Sequence, residues 1–217
     1  KTLGPDALTL KFNVPLNSQQ DIEKIRNETR LLREKADQEK QARTQAAAVR
    51  AQEIWEKLPE SGSSEYLVKK QVMAHGVRFS RGSIVVPVRN AAGSLAGLQF
   101  IDGNGDKKFL TGTAKKGCWH SIGVVSPSAP LCICEGYATG ASIHKAMGWP
   151  VAIAFDAGNL TPVAKTLHEK YPDIKIIVCA DNDIQTLGNP GVKRAREAAS
   201  AIGGVVAVPV FPVEAAA

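Results

Sequence analysis

Positions Ile22, Ile25, Thr29, Leu32 and Ala36 recur at alternating steps of three and four, the spacing of one helical face. Ser18 stands where a helix cap would, with Asp21 three residues on in the capping-box position. No Gly or Pro interrupts the chain between Pro15 and Pro59, so one long helix is predicted from about Gln19 to Lys57. Its mixed charges and alanine-rich second half predict a mostly exposed rod, a connector or packing arm. Residues 1–17 show no clear period and read as a lead-in.

Pro59–Ser64 (PESGSS) is a boundary. Beyond it Glu65–Lys70 suits a short helix, Ser83–Val88 and Leu95–Ile101 suit strands, and Lys107–Leu110 starts a third. The turns between them are Asn90–Ser94 (NAAGS) and Asp102–Asp106 (DGNGD), so the unit is small and antiparallel. Pro87 marks the first strand as an edge strand or a bulged one.

From Pro130 short apolar runs alternate with helical stretches. Leu131–Cys134, Val151–Phe155, Ile174–Cys179 and Val205–Val208 are the runs. Ala138–Met147, Thr161–Lys170 and Val192–Ile202 are the helices between them. That alternation implies a parallel sheet with helices on its faces. Three regions follow: 1–60 as lead-in and long helix, 61–128 as a β-rich subdomain, and 129–217 as an α/β domain.

Charge separates the last two. The formal net charge is +6. Residues 129–217 are close to neutral, whereas 66–121 carry Lys69, Lys70, Arg78, Arg81, Arg89, Lys107, Lys108, Lys115 and Lys116 against Asp102 and Asp106. A basic platform beside an acidic site suits a polyanionic partner whose chemistry uses metal ions. No stretch approaches the ~20 apolar residues of a membrane span, so no membrane partner is expected. Cys132 and Cys134 would share one face of a strand. With Cys118 and Cys179 they lack the C-x-x-C pairs of a zinc ribbon and read as reduced, buried thiols of a cytoplasmic protein.

In a parallel sheet ligands bind beyond the carboxyl ends of the strands. Glu135 directly follows LCIC, and Asp181 and Asp183 follow IIVCA. Each alone could merely cap a turn. Together at one rim they would repel unless a cation lay among them, and oxygen donors without histidine favour Mg²⁺, with Mn²⁺ as a substitute.

Glu135-Gly136 and Asp181-Asn182-Asp183 resemble the signature of the Toprim family, a module shared by primases, topoisomerases, certain nucleases and recombination proteins. The wording around them, EGYATGASIHKAMG, AFDAGNL and GNPGVKRAREAA, looks closest to primases of phages and conjugative plasmids. Residues 81–89 (RGSIVVPVR), GSLAGLQFID and KKFLTGTAKKG are similar to the subdomain before Toprim in bacterial replicative primases. The resemblance covers about residues 65–208.

It implies a Toprim fold and a metal-dependent nucleotidyltransferase making RNA primers on single-stranded DNA. Glu135, Asp181 and Asp183 would be the catalytic and metal-binding residues. Asp156 offers either a further carboxylate or a turn role. Lys108 and Lys116, matching the lysines of a K-Y-L segment and a Lys-Gly pair, would contact template or nucleotide phosphates, with Arg81 beside them. NTPs, template and a replicative helicase are the implied partners. Two departures stand out: Thr139 where replicative primases carry aspartate, and Asn90 where they often have Asp. A Toprim nuclease and a non-catalytic DNA- or helicase-binding module are the alternatives.

Overall fold

The long uninterrupted run of helix formers becomes α1, Gln19–Lys57. The computed structural model describes residues 19–182, 186 and 188–210, so the lead-in and the Ser18 cap lie outside the described residues. The chain divides into two compact units between Ala42 and Arg43, within α1. The part of α1 before that division is exposed along nearly its whole length, with a surface pair between Arg30 and Glu34 at 3.8 Å.

In the second unit, the last turns of α1 cover a four-stranded antiparallel sheet. Its strands are β1 (Arg78–Ser80), β2 (Ser83–Arg89), β3 (Leu95–Ile101) and β4 (Lys107–Phe109), in that spatial order. Ala51, with Ile54 and Trp55, packs on Val85, Leu95, Leu98 and Leu110. A short helix, α2 (Glu65–Lys70), follows α1. The β1–β2 hairpin closes through Arg81 and Gly82, both at positive φ (46° and 80°), the backbone a tight two-residue hairpin turn demands.

Pro87 sits in β2, which is flanked on both sides rather than at the sheet edge. It is tolerated because β1 pairs only as far as Val85, and the β2–β3 register shifts just beyond it, between Val88 and Arg89.

The second sheet has the order β5-β7-β6-β8-β9. Here β5 is His120–Ile122, β6 Leu131–Cys134, β7 Val151–Ile153, β8 Ile176–Cys179 and β9 Val205–Ala207. The last four run parallel and β5 joins antiparallel at the edge. The helices are α3 (Tyr137–Met147), α4 (Leu160–Lys170) and α5 (Pro190–Ser200).

Side-chain alternation along β6 splits the core into two layers. Cys132 and Cys134 face Tyr137 and Ala141 of α3 and the inner face of the first sheet, from Ile84, Val86 and Ile101. Leu131 and Ile133 face Val163 and Leu167 of α4 and Ala195 and Ala198 of α5. Burying a side chain such as Ile133 contributes about 1.5–3 kcal/mol. Reciprocal backbone bonds between Arg89 and Trp119, at 2.9 and 3.0 Å, link the two sheets. Among the described residues no helix is long and apolar enough to cross a membrane.

Candidate active site

The parallel sheet has one place where the chain reverses its order. From β6 it passes through α3 to β7 on one side, and later returns to β8 on the other. At such a switch point the loops leaving neighbouring strands part, which opens a crevice at their carboxyl ends. Glu135 is the first residue beyond β6, and Asp181 lies two beyond β8. Both therefore stand at that crevice.

Their charges meet at Cys134. Burial raises this thiol well above its usual range, and Asp181 and Glu135 raise it further, while Lys107 lowers it. One atom thus senses both carboxylates and the ammonium. Glu135 Oε1 is shut off from solvent. Thr139, on the first turn of α3, places Oγ1 3.5 Å from Asp181 Oδ1. Behind Asp181 the start of α5 approaches so closely that a Cβ on Gly191 would lie 2.4 Å from the Asp181 carbonyl oxygen. Only glycine lets the helix begin there, and Pro190 pre-sets its first turn.

Asp183 lies outside the described residues. Among the described residues no group of three or more His, Cys, Asp or Glu side chains is arranged to hold a metal ion. Two carboxylates and a hydroxyl nevertheless fit a hard divalent ion, because Mg²⁺ is commonly held by one or two carboxylates with water and substrate phosphates completing its shell.

Asp156, three residues beyond β7, caps a turn. Its Oδ1 accepts from the Asn159 backbone at 3.0 Å, capping the 3₁₀ turn Ala157–Asn159, and its Oδ2 pairs with Lys115 Nζ. The preceding Phe155 is buried with φ of 73°, a left-handed conformation that costs a bulky residue about 1–3 kcal/mol. An edge-to-face contact with Phe109 at 5.7 Å helps hold it there.

The basic residues divide by strand register. Cross-strand partners share a face, so Lys107, opposite Ile101, points with Phe109 toward the α/β domain. Its Nζ lies 3.6 Å from where a Gly136 Cβ would be. Lys108, opposite Phe100, is on the face that α1 packs against. Arg81 is exposed in the hairpin turn at the Lys107 end of the sheet, since Ile84 pairs with Ile101 and Ile101 with Lys107. Lys116 is exposed in the loop that Lys115 anchors to Asp156. Lys107 and the buried Asn159 are the participants that residue type alone did not single out.

Residues 129–210 match the family model of the Toprim domain. This segment is a Toprim domain. The four parallel strands β6 to β9, with the crevice at their carboxyl ends, lie within this segment. Two curated proteins named DNA primase TraC, both from Escherichia coli, are similar over more of the chain. One is 37% identical over 164 residues, 71% of this chain and 11% of its own length. The other is 35% identical over 188 residues, 82% of this chain and 17% of its own length. The chain therefore spans only a small part of these relatives.

Among solved structures, the primase fragment of the bacteriophage T7 primase-helicase protein superposes with a TM-score of 0.44 at 17% identity, covering 68% of this chain and 60% of that one. A DNA primase domain from Pseudomonas aeruginosa gives 0.41 at 15% identity, covering 67% and 50%. Superpositions this loose carry no residue correspondences.

Proposed function

We propose that the chain is the catalytic core of a plasmid- or phage-type DNA primase, joining ribonucleotides into short primers on single-stranded DNA. One observation carries the reading: the similarity to the TraC primases runs over about twice the length of residues 129–210, so it takes in the basic sheet as well as the Toprim domain.

In this reading Glu135 and Asp181, with Asp183 from the same motif, would hold Mg²⁺ or Mn²⁺. When bound, the ion lowers the pKa of the attacking hydroxyl and stabilises charge on the α-phosphate and the leaving pyrophosphate. Glu135 accepts the proton of the primer 3′-hydroxyl as its oxygen bonds to the α-phosphorus and the α–β bridging bond breaks. Lys107, over the Glu135-Gly136 turn, offsets the triphosphate charge. Arg81, Lys108 and Lys116 contact template or nucleotide phosphates from the exposed basic surface, which makes binding salt-sensitive and largely independent of sequence. The work is done in the cytoplasm beside a replicative helicase.

The test is primer synthesis by the full-length protein on single-stranded template with labelled NTPs and Mg²⁺. Short RNA products that vanish with Asp181→Ala are expected. Degraded template would mean a nuclease instead, and binding without turnover a non-catalytic module.

A further inference from the structure

Asn159 is 3% exposed, and its side chain makes four hydrogen bonds. Oδ1 accepts from the Gly117 N–H at 2.7 Å. Nδ2 donates to Lys115 O at 3.0 Å, Cys118 O at 2.9 Å and Ala154 O at 2.9 Å. Two amide hydrogens serve three carbonyls, so one is shared.

Three of the four partners belong to the loop 115–118, more than forty residues earlier in the chain. The fourth, Ala154, directly follows β7 and precedes the left-handed Phe155. One buried amide therefore fastens a strap of the basic subdomain across the carboxyl end of β7, the strand next to the one that presents Glu135. Lys115 adds a second tie through its pair with Asp156 and lies 5.4 Å above the Phe109 ring. Between the tied residues Lys115 and Gly117 the Lys116 side chain is left exposed.

A fold that needed only a filled core would place an apolar residue at position 159. An amide that satisfies three carbonyls and one N–H holds the strap backbone at a fixed height and rotation. A lysine on a fixed backbone meets a phosphate at lower entropic cost than one on a loose loop.

We infer that Asn159 is a positioning residue for phosphate recognition: it acts through the Lys115–Gly117 strap to set Lys116 against nucleotide or nucleic-acid phosphates. The inference rests on the primase reading for its substrates.

The experiment compares wild type, Asn159→Ala, Lys116→Ala and the double variant in the full-length protein. It reads kcat and KM for NTPs in primer synthesis and, separately, the Kd for a fluorescent single-stranded oligonucleotide. Lys116→Ala should raise the NTP KM or the oligonucleotide Kd about tenfold, the scale of one charge-assisted contact. Whichever constant moves identifies the phosphates as nucleotide or template. Asn159→Ala should shift the same constant with kcat held within about threefold, and add less than about twofold in the Lys116→Ala background.

If Asn159→Ala lowers Tm and kcat with both constants unmoved, or if the two effects simply multiply, the inference is overturned. Lys116→Ala alters an exposed residue and leaves folding intact, so unmoved constants in that variant overturn it also, even if Asn159→Ala does not fold. If wild type makes no primers, the primase reading fails by itself, and the oligonucleotide Kd still decides the role of the strap.

Discussion

Thr139 Oγ1 sits 3.5 Å from Asp181 Oδ1, a hydroxyl on the first turn of α3 reaching the carboxylate that follows β8. The contact is at the outer limit of a hydrogen bond and contributes little by itself. Its interest is the position, where an acidic side chain would add a second charge beside Asp181. Thr139→Asp should lower the half-saturating Mg²⁺ concentration for primer synthesis about threefold or more, because added negative potential favours a bound divalent ion. Thr139→Val should shift it less than about twofold. A Mg²⁺ titration of both variants checks the pair of outcomes, and a Thr139→Asp curve that overlays wild type would contradict the placement.

The two adjacent lysines of β4 point to opposite faces, so they should not be equivalent. Lys107→Ala, at the Glu135-Gly136 turn, should lower primer synthesis about tenfold or more by removing a charge from the crevice. Lys108→Ala, on the α1 face, should act chiefly through template affinity and fade as salt is lowered. Steady-state kinetics at two salt concentrations separates them. Equal losses of kcat in both variants would contradict the register argument.

Long elements were legible because their signals are local. The gap in Gly and Pro gave α1 its end at Lys57, and the apolar run LCIC gave β6 its bounds. β1 and β5 were not legible: RFS and HSI are three residues each, with a single large apolar residue apiece and neither an apolar run nor a flanking Asn-Gly or Asp-Gly turn pair to mark them. β5 is a strand because β7 pairs with it, which no local pattern encodes. At the site, Glu135 and Asp181 could be read as carboxylates following apolar strands. Lys107 could not be told from Lys108, since the strand's phase decides between them. Asn159 looked like any turn asparagine, because its loop partners lie 41 to 44 residues away.

The approach of α5 to Asp181 predicts a coupling between helix packing and activity. Gly191→Ala would set a methyl 2.4 Å from the Asp181 carbonyl oxygen, a backbone atom with no rotamer to escape into. The helix start or the Asp181 loop must shift, at about 1–3 kcal/mol. The expected result is a lower Tm together with a primer-synthesis rate reduced more than the loss of folded protein explains. A thermal melt and a single-turnover assay on the folded fraction check it. Unchanged turnover per folded molecule would mean that the carboxylate does not depend on this contact.

His120 sets a limit on acid stability. Its ring is buried where β5 meets the α3 layer, and Nε2 donates to His75 O at 2.8 Å. Burial pushes its pKa down to about 4, with the Arg89 and His75 charges adding to the effect against the bond to His75. In the unfolded chain the ring returns to about 6.5. Between these values the unfolded state binds more protons, so stability is full above pH 6.5 and falls as pH drops toward 4. The loss attributable to this ring reaches about 3 kcal/mol at the low end. Urea unfolding midpoints measured from pH 7.5 to 4 should fall less steeply in His120→Gln, whose amide keeps a donor but does not titrate. Parallel slopes in wild type and variant would place the acid sensitivity elsewhere.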